Sequence, residues 1–171
     1  MKAISLALWL FLSAIGGQEQ TLIASHEKSG ESQPTTNSKN SSPVSTPNKT
    51  AAMKILVHIT HGPEEPTRAA LGFLVAKAAL EEGHSVSLFL AGNAVLLLRD
   101  KEMGEVMGVG TGNLREHYEA IVKGGGRFYL SGMSAKARGM TEEDIKGKPA
   151  EFAMPKVLVQ LSVEHDRMFN Y

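Results

Sequence analysis

The chain has no cysteine among its 171 residues. That single absence removes disulfides, thiolate metal sites, thiol nucleophiles and lipid attachment to an N-terminal cysteine. It does not fix a compartment, because a cysteine-free chain is stable in oxidising and reducing surroundings alike. An excess of either charge is missing too: 18 basic and 18 acidic residues cancel. No global field therefore draws the protein to nucleic acid or to an anionic membrane, and neither is expected as a partner. Nor does any apolar run reach the roughly 20 residues of a spanning helix, so no stable membrane anchor is expected. Chemistry on this chain must use hydroxyls, imidazoles, amines, carboxylates or a group borrowed from elsewhere.

What is present begins with a leader. Met1 and Lys2 precede an apolar run from Ala3 to Ile15, closed by Gly16 and Gly17. A basic start, a short apolar stretch and small residues at its end form the pattern of a signal peptide, read here over 1–17. Residues 18–52 are dominated by Ser, Thr, Asn, Lys and Pro, above all from Ser25 onward. So little apolar surface cannot offset the entropy of ordering, and a disordered polar linker is expected. With the leader the protein is exported, to a periplasm or beyond. If translation starts at Met53, it is cytoplasmic.

The domain spans 53–171. Lys54–Thr60 is a β-branched apolar run of the kind buried in parallel sheets. After the break His61-Gly62-Pro63-Glu64-Glu65-Pro66, the residues Ala70, Leu71, Leu74, Val75, Ala78 and Ala79 recur at helical spacing. Thr67 or a neighbour is expected to cap that helix. His84–Ala91 reads as a second strand, which makes a βαβ unit. A short helix from Ala94 to about Arg99, a glycine-rich loop, a helix over Leu114–Lys123 and a third strand at Arg127–Ser131 follow. Then come a loop at Gly132–Gly139, a polar turn at Thr141–Ile145, a helix from Pro155 and a short last strand near Arg167–Tyr171. The fold class is α/β: an open parallel sheet with helices on both faces, preceded by the leader and linker.

In such sheets ligands bind beyond the carboxyl ends of the strands. That edge collects His61-Gly62, Gly92-Asn93 and Ser131-Gly132-Met133-Ser134. Two hydroxyls beside Lys136 and Arg138, with turn amides, suggest a site for a small anion or polar ligand. The expected ligand-binding set is His61, Gly62, Asn93, Ser131, Gly132, Ser134, Lys136 and Arg138. The competing reading is a polar loop with capping serines and solvated cations. No catalytic residue is assigned, because a nucleophilic serine needs a base in reach and no Gly-x-Ser-x-Gly elbow is present. No metal site and no cofactor are expected: His58 and His61 fall on opposite sides of a strand, and the other histidines are scattered. Gly108-Val109-Gly110-Thr111-Gly112 lacks the Lys-Ser/Thr ending of a phosphate loop and reads as a loop with a helix cap at Thr111 or Asn113.

Laid out in order, Met53–Ala70, Leu88–Asn93, Phe128–Gly139 and Glu151–Leu158 make the domain resemble the DsrE/DsrF-like (YchN-like) family. The resemblance implies a flavodoxin-like fold and assembly into homotrimers, homohexamers or mixed rings. Sulfur-relay members hold sulfur as a persulfide on a cysteine in the loop after a central strand. Here the corresponding segment is Ser131–Lys136, where Ser131 and Ser134 stand in place of a thiol. Serine oxygen cannot accept sulfane sulfur, so the implied fold carries over and the relay chemistry does not. Three functions follow as expectations: a non-catalytic oligomeric binding protein, an accessory subunit whose thiol comes from a sulfur-relay partner, or a hydrolase or transferase using Ser131 or Ser134 with His61.

Overall fold

The computed structural model describes residues 51–171. The leader at 1–17 and the linker at 18–52, save Ala51 and Ala52, lie outside the described residues. Strand β1 (Lys54–Ile59) leads through helix α1 (Pro66–Glu81) to β2 (Ser85–Leu90). A 3-10 segment (Gly92–Leu98), helix α2 (Asp100–Glu105) and the two-residue strands β3 (Met107–Gly108) and β4 (Gly112–Asn113) precede helix α3 (Leu114–Lys123). Strand β5 (Arg127–Ser131) is followed by the short helices α4 (Gly132–Ala137) and α5 (Glu142–Ile145). Strand β6 (Ala150–Ala153), helix α6 (Pro155–Glu164) and strand β7 (Arg167–Asn170) complete the domain.

The main sheet is parallel throughout, in the order β6-β5-β2-β1-β7. Alternation along β1 divides its side chains between two layers. Ile55, Val57 and Ile59 join Phe73 and Ala76 of α1, Ile121 of α3 and Phe128 of β5 in the larger core. Leu56 faces the other way, with Phe89, Ala153 and Leu161 of α6. Helices thus cover both faces, unevenly: α1, α3, α4 and α5 pack on one, and α6 alone on the other. Phe73 and Phe128 are fully buried, with ring centroids 5.9 Å apart.

Several segments differ from the sequence reading. Residues 132–137, expected in a loop, form α4, with Ser131 as the capping residue. The helix expected from Ala94 is a 3-10 segment that begins at Gly92. The glycine-rich loop holds α2 and a hairpin of β3 and β4. There the Asn113 side chain caps α3, accepting from Arg115 N at 2.8 Å. No side chain caps α1: the cap position is Glu65, and Thr67 lies inside the helix, where its hydroxyl accepts the Val109 N–H at 3.0 Å and so tethers the hairpin. The polar turn at 141–145 contains α5, whose start is tied by the Thr141 N–H and hydroxyl donating to Asp144 Oδ2 at 2.8 and 3.3 Å. Strand β6, not expected at all, pairs with β5 from Phe128↔Ala150 to Ser131↔Ala153.

Candidate functional site

The connections decide where on the carboxyl edge a crevice opens. The chain leaves β5 into α4 and α5 on the larger-core face, and leaves β6 into α6 on the opposite face. These two strands are neighbours, so the connections diverge between them, and such a divergence is where open α/β sheets bind ligands. Ser131 and Ala153, the last register pair of β5 and β6, sit at that point.

A hydrogen-bond network fills the edge behind it. Ser131 Oγ accepts the Ser134 N–H at 3.4 Å, capping α4. Ser134 Oγ accepts the Gly92 N–H at 3.0 Å, which ties α4 to the end of β2. Arg138 turns inward: Nε donates to Asn93 Oδ1 at 2.8 Å and Nη1 to the Ser134 carbonyl at 3.2 Å. Arg99, bound to Asp144 at 3.3 Å, donates to the carbonyls of Arg138 and Gly139 at 3.0 Å each. The network extends to the loop after β1. The Gly62 N–H donates to Glu64 Oε1 at 3.0 Å. Gly62 has no room for a side chain, since a Cβ would overlap the Asn93 carbonyl oxygen and lie 2.7 Å from its carbon.

Glu64 is the carboxylate perturbed by this arrangement. Its slight burial works to raise its pKa, but hydrogen bonds from Gly62, the Asn93 side chain and its own N–H, together with the nearby His61, outweigh that. The net position is below the ordinary 4.5.

Of the sequence-derived set, Gly62, Asn93, Ser131, Ser134 and Arg138 come together in this network, with Gly132 opening α4. His61 does not join them. The order β5-β2-β1 puts two strand spacings, about 10 Å, between the ends of β5 and β1. His61 Nε2 faces Arg68 Nη1 at 2.9 Å. A guanidinium only donates, so Nε2 accepts and Nδ1 carries the proton, toward Thr60 Oγ1 at 3.3 Å. That hydroxyl in turn donates to the Tyr171 carbonyl at 3.2 Å. His61 therefore belongs to a separate hollow with His58, Arg68, Asn170 and Tyr171.

Lys136 is placed differently again. It lines a cavity of about 310 Å³ with Gly132, Ala135, Gly139, Met140, Thr141 and Phe152. It makes no ion pair and no side-chain hydrogen bond among the described residues. This cavity was not legible in the sequence, because Phe152 reaches it from the unexpected β6.

The serine–histidine hydrogen bond among the described residues lies elsewhere. His165 Nε2 meets Ser87 Oγ at 3.0 Å, and Nδ1 donates to the Leu161 carbonyl at 2.7 Å, pinning the end of α6 to the sheet. His117 is a buried core residue bonded to the Thr111 carbonyl. No group of three or more His, Cys, Asp or Glu side chains able to hold a metal occurs among the described residues.

Comparison with known proteins agrees with the architecture. The structure is similar to the crystal structure of the YchN protein from E. coli, with 21% identity and a TM-score of 0.56 over 70% of this chain and 99% of that one. A conserved protein of unknown function from Bacteroides thetaiotaomicron, BT1422, is similar at 13% identity and a TM-score of 0.50, over 69% and 94% of the two chains. No curated protein matches the sequence. The family model described as DsrE/DsrF-like matches residues 53–171, the whole of the sheet and its helices. The chain belongs to the DsrE/DsrF-like family.

Proposed function

We propose that this protein is a non-catalytic, oligomeric binding or accessory member of its family, holding a small anionic or polar ligand beside α4. The observation that carries the reading is the engagement of Ser131 and Ser134. One hydroxyl caps α4, the other holds the Gly92 N–H, and His61, the histidine of the loop after β1, is bound to Arg68 instead. A serine without a base in hydrogen-bond reach is a poor nucleophile, and its oxygen cannot carry sulfane sulfur. This favours binding over a Ser–His hydrolase.

Assembly into a homotrimer or homohexamer is supported by apolar side chains left in water. Met133 and Met154, just beyond the ends of β5 and β6, are 63% and 53% exposed. Val159 and Val163 of α6, one helical turn apart, and Met168 and Phe169 of β7 are exposed as well. The methionines beside the crevice also favour a second reading, in which a sulfur-relay partner docks there and supplies the thiol, since thioethers make adaptable contacts.

The test is a thermal-shift series with sulfate, phosphate, acetate and benzoate on wild type, Ser134→Ala and Lys136→Gln. The reading expects a rise with at least one anion that persists in Ser134→Ala, although that variant unfolds earlier. Absence of any rise in the wild type would sink it.

A further inference from the structure

Deepening the proposed ligand-binding role, and resting on it, we infer that the ligand is a small amphipathic monoanion: one carboxylate or sulfonate on a compact apolar body. It would be seated in the cavity between α4 and β6. The groups that the cavity can offer decide the ligand class.

Its floor is apolar. Ala135 and Met140 are buried, and Phe152 packs against the same core from β6. Most polar groups near it are already committed. The Gly139 and Met140 N–H groups donate to the carbonyls of Lys136 and Ala135. The Thr141 hydroxyl donates to Asp144 Oδ2 at 3.3 Å, and Arg99 consumes the Gly139 carbonyl. Arg138, the second cation expected from the sequence, is bound to Asn93 and the Ser134 carbonyl.

Among the side chains that line the cavity, Lys136 is the one that can answer a ligand's charge. Among the nearby acids, Asp144 is paired with Arg99 and Glu143 with Lys146, while Glu142 is exposed on α5. One ammonium is a point charge, suited to a single anionic group rather than to a multiply charged oxoanion, which calls for a fork of donors. The volume of about 310 Å³ lies at the small end for ligand pockets, enough for one ring or a branched chain. A bare sulfate would leave the apolar floor in water, and a neutral apolar molecule would leave Lys136 unanswered.

The experiment is isothermal titration of the full chain with four probes: benzoate, benzenesulfonate, benzyl alcohol and sulfate. Benzoate and benzenesulfonate should bind, and benzyl alcohol and sulfate should bind more weakly or not at all. Lys136→Gln should weaken benzoate about five-fold, the scale of one partly exposed ion pair, and Lys136→Arg should restore it. Gly132→Leu should abolish binding by filling the cavity. Position 132 has room for the first carbon of a side chain, whose nearest neighbour would lie 3.7 Å away, and circular dichroism checks that the variant folds. If sulfate binds as tightly as benzenesulfonate, the amphipathic class is overturned while an anion site stands. If Gly132→Leu folds and still binds benzoate, the cavity is the wrong place. If no probe binds, this inference falls, and the binding role is then decided by the thermal-shift series with phosphate and acetate.

Discussion

Arg138 Nε donates to Asn93 Oδ1 at 2.8 Å, joining residues 45 positions apart and holding α4 against the 3-10 segment after β2. The pair is half-buried, and Arg138 also reaches the Ser134 carbonyl. Removing one partner strands the other's polar group, which costs about 1–3 kcal/mol. Asn93→Ala and Arg138→Ala should each lower stability by that order in urea unfolding. The double variant should lose less than the sum, because the second change removes a group already orphaned.

Gly62 packs against the backbone of the same residue. Its Cβ would collide with the Asn93 backbone, which cannot rotate away as a side chain could. Gly62→Ala should therefore destabilise by about 1–3 kcal/mol, as overpacking does. Gly132→Ala, with open space at its Cβ, should be nearly neutral. Thermal unfolding of the two variants side by side checks the contrast.

The Glu64 carboxylate sets a pH dependence with a definite sign. Its folded pKa lies below the ordinary 4.5, so the charged form is favoured in the native state. Its contribution to stability is present in full above about that value and is lost as pH falls through the lower, folded pKa. Wild type should lose stability on acidification through this window, and Glu64→Gln should lose less over the same range. Urea midpoints measured at pH 6 and at successively lower pH would show a converging pair of curves. Parallel curves would contradict the assignment.

Much of this could be read from sequence, and the misses have physical causes. Strand β1, helix α1 and strand β5 carry long periodic or apolar signals. Strand β6 has only four residues after Pro149, at the edge of the sheet, where alternation is too short to register. Helix α4 begins at a glycine and has six residues, below the length at which helical spacing can be recognised. Gly62, Asn93, Ser131, Ser134 and Arg138 were legible as one edge because strand ends place them there. That Arg138 turns inward and Lys136 outward was not legible, since it depends on Asn93, far away in the chain. The sequence groups His61 with the serines because it does not reveal the strand order. Its distance from them follows from β2 lying between β1 and β5.

Restoring the thiol tests how much family geometry survives around α4. Ser131 is 9% exposed at the end of β5, and Ser134 is half-buried one helical turn on. Ser131→Cys or Ser134→Cys should take up one sulfur atom from polysulfide, seen by intact mass, and alkylate faster than free cysteine. If neither does, the edge has been remodelled and the family's thiol chemistry is no guide to it.

On the proposed reading, the Ser131 and Ser134 hydroxyls serve structure rather than catalysis. The most direct test is exposure of the wild type to an excess of a serine-directed fluorophosphonate, followed by intact mass and peptide mapping. The protein should stay unmodified, because neither the Ser131 nor the Ser134 hydroxyl is hydrogen-bonded to a base. An adduct on either residue would contradict that reading.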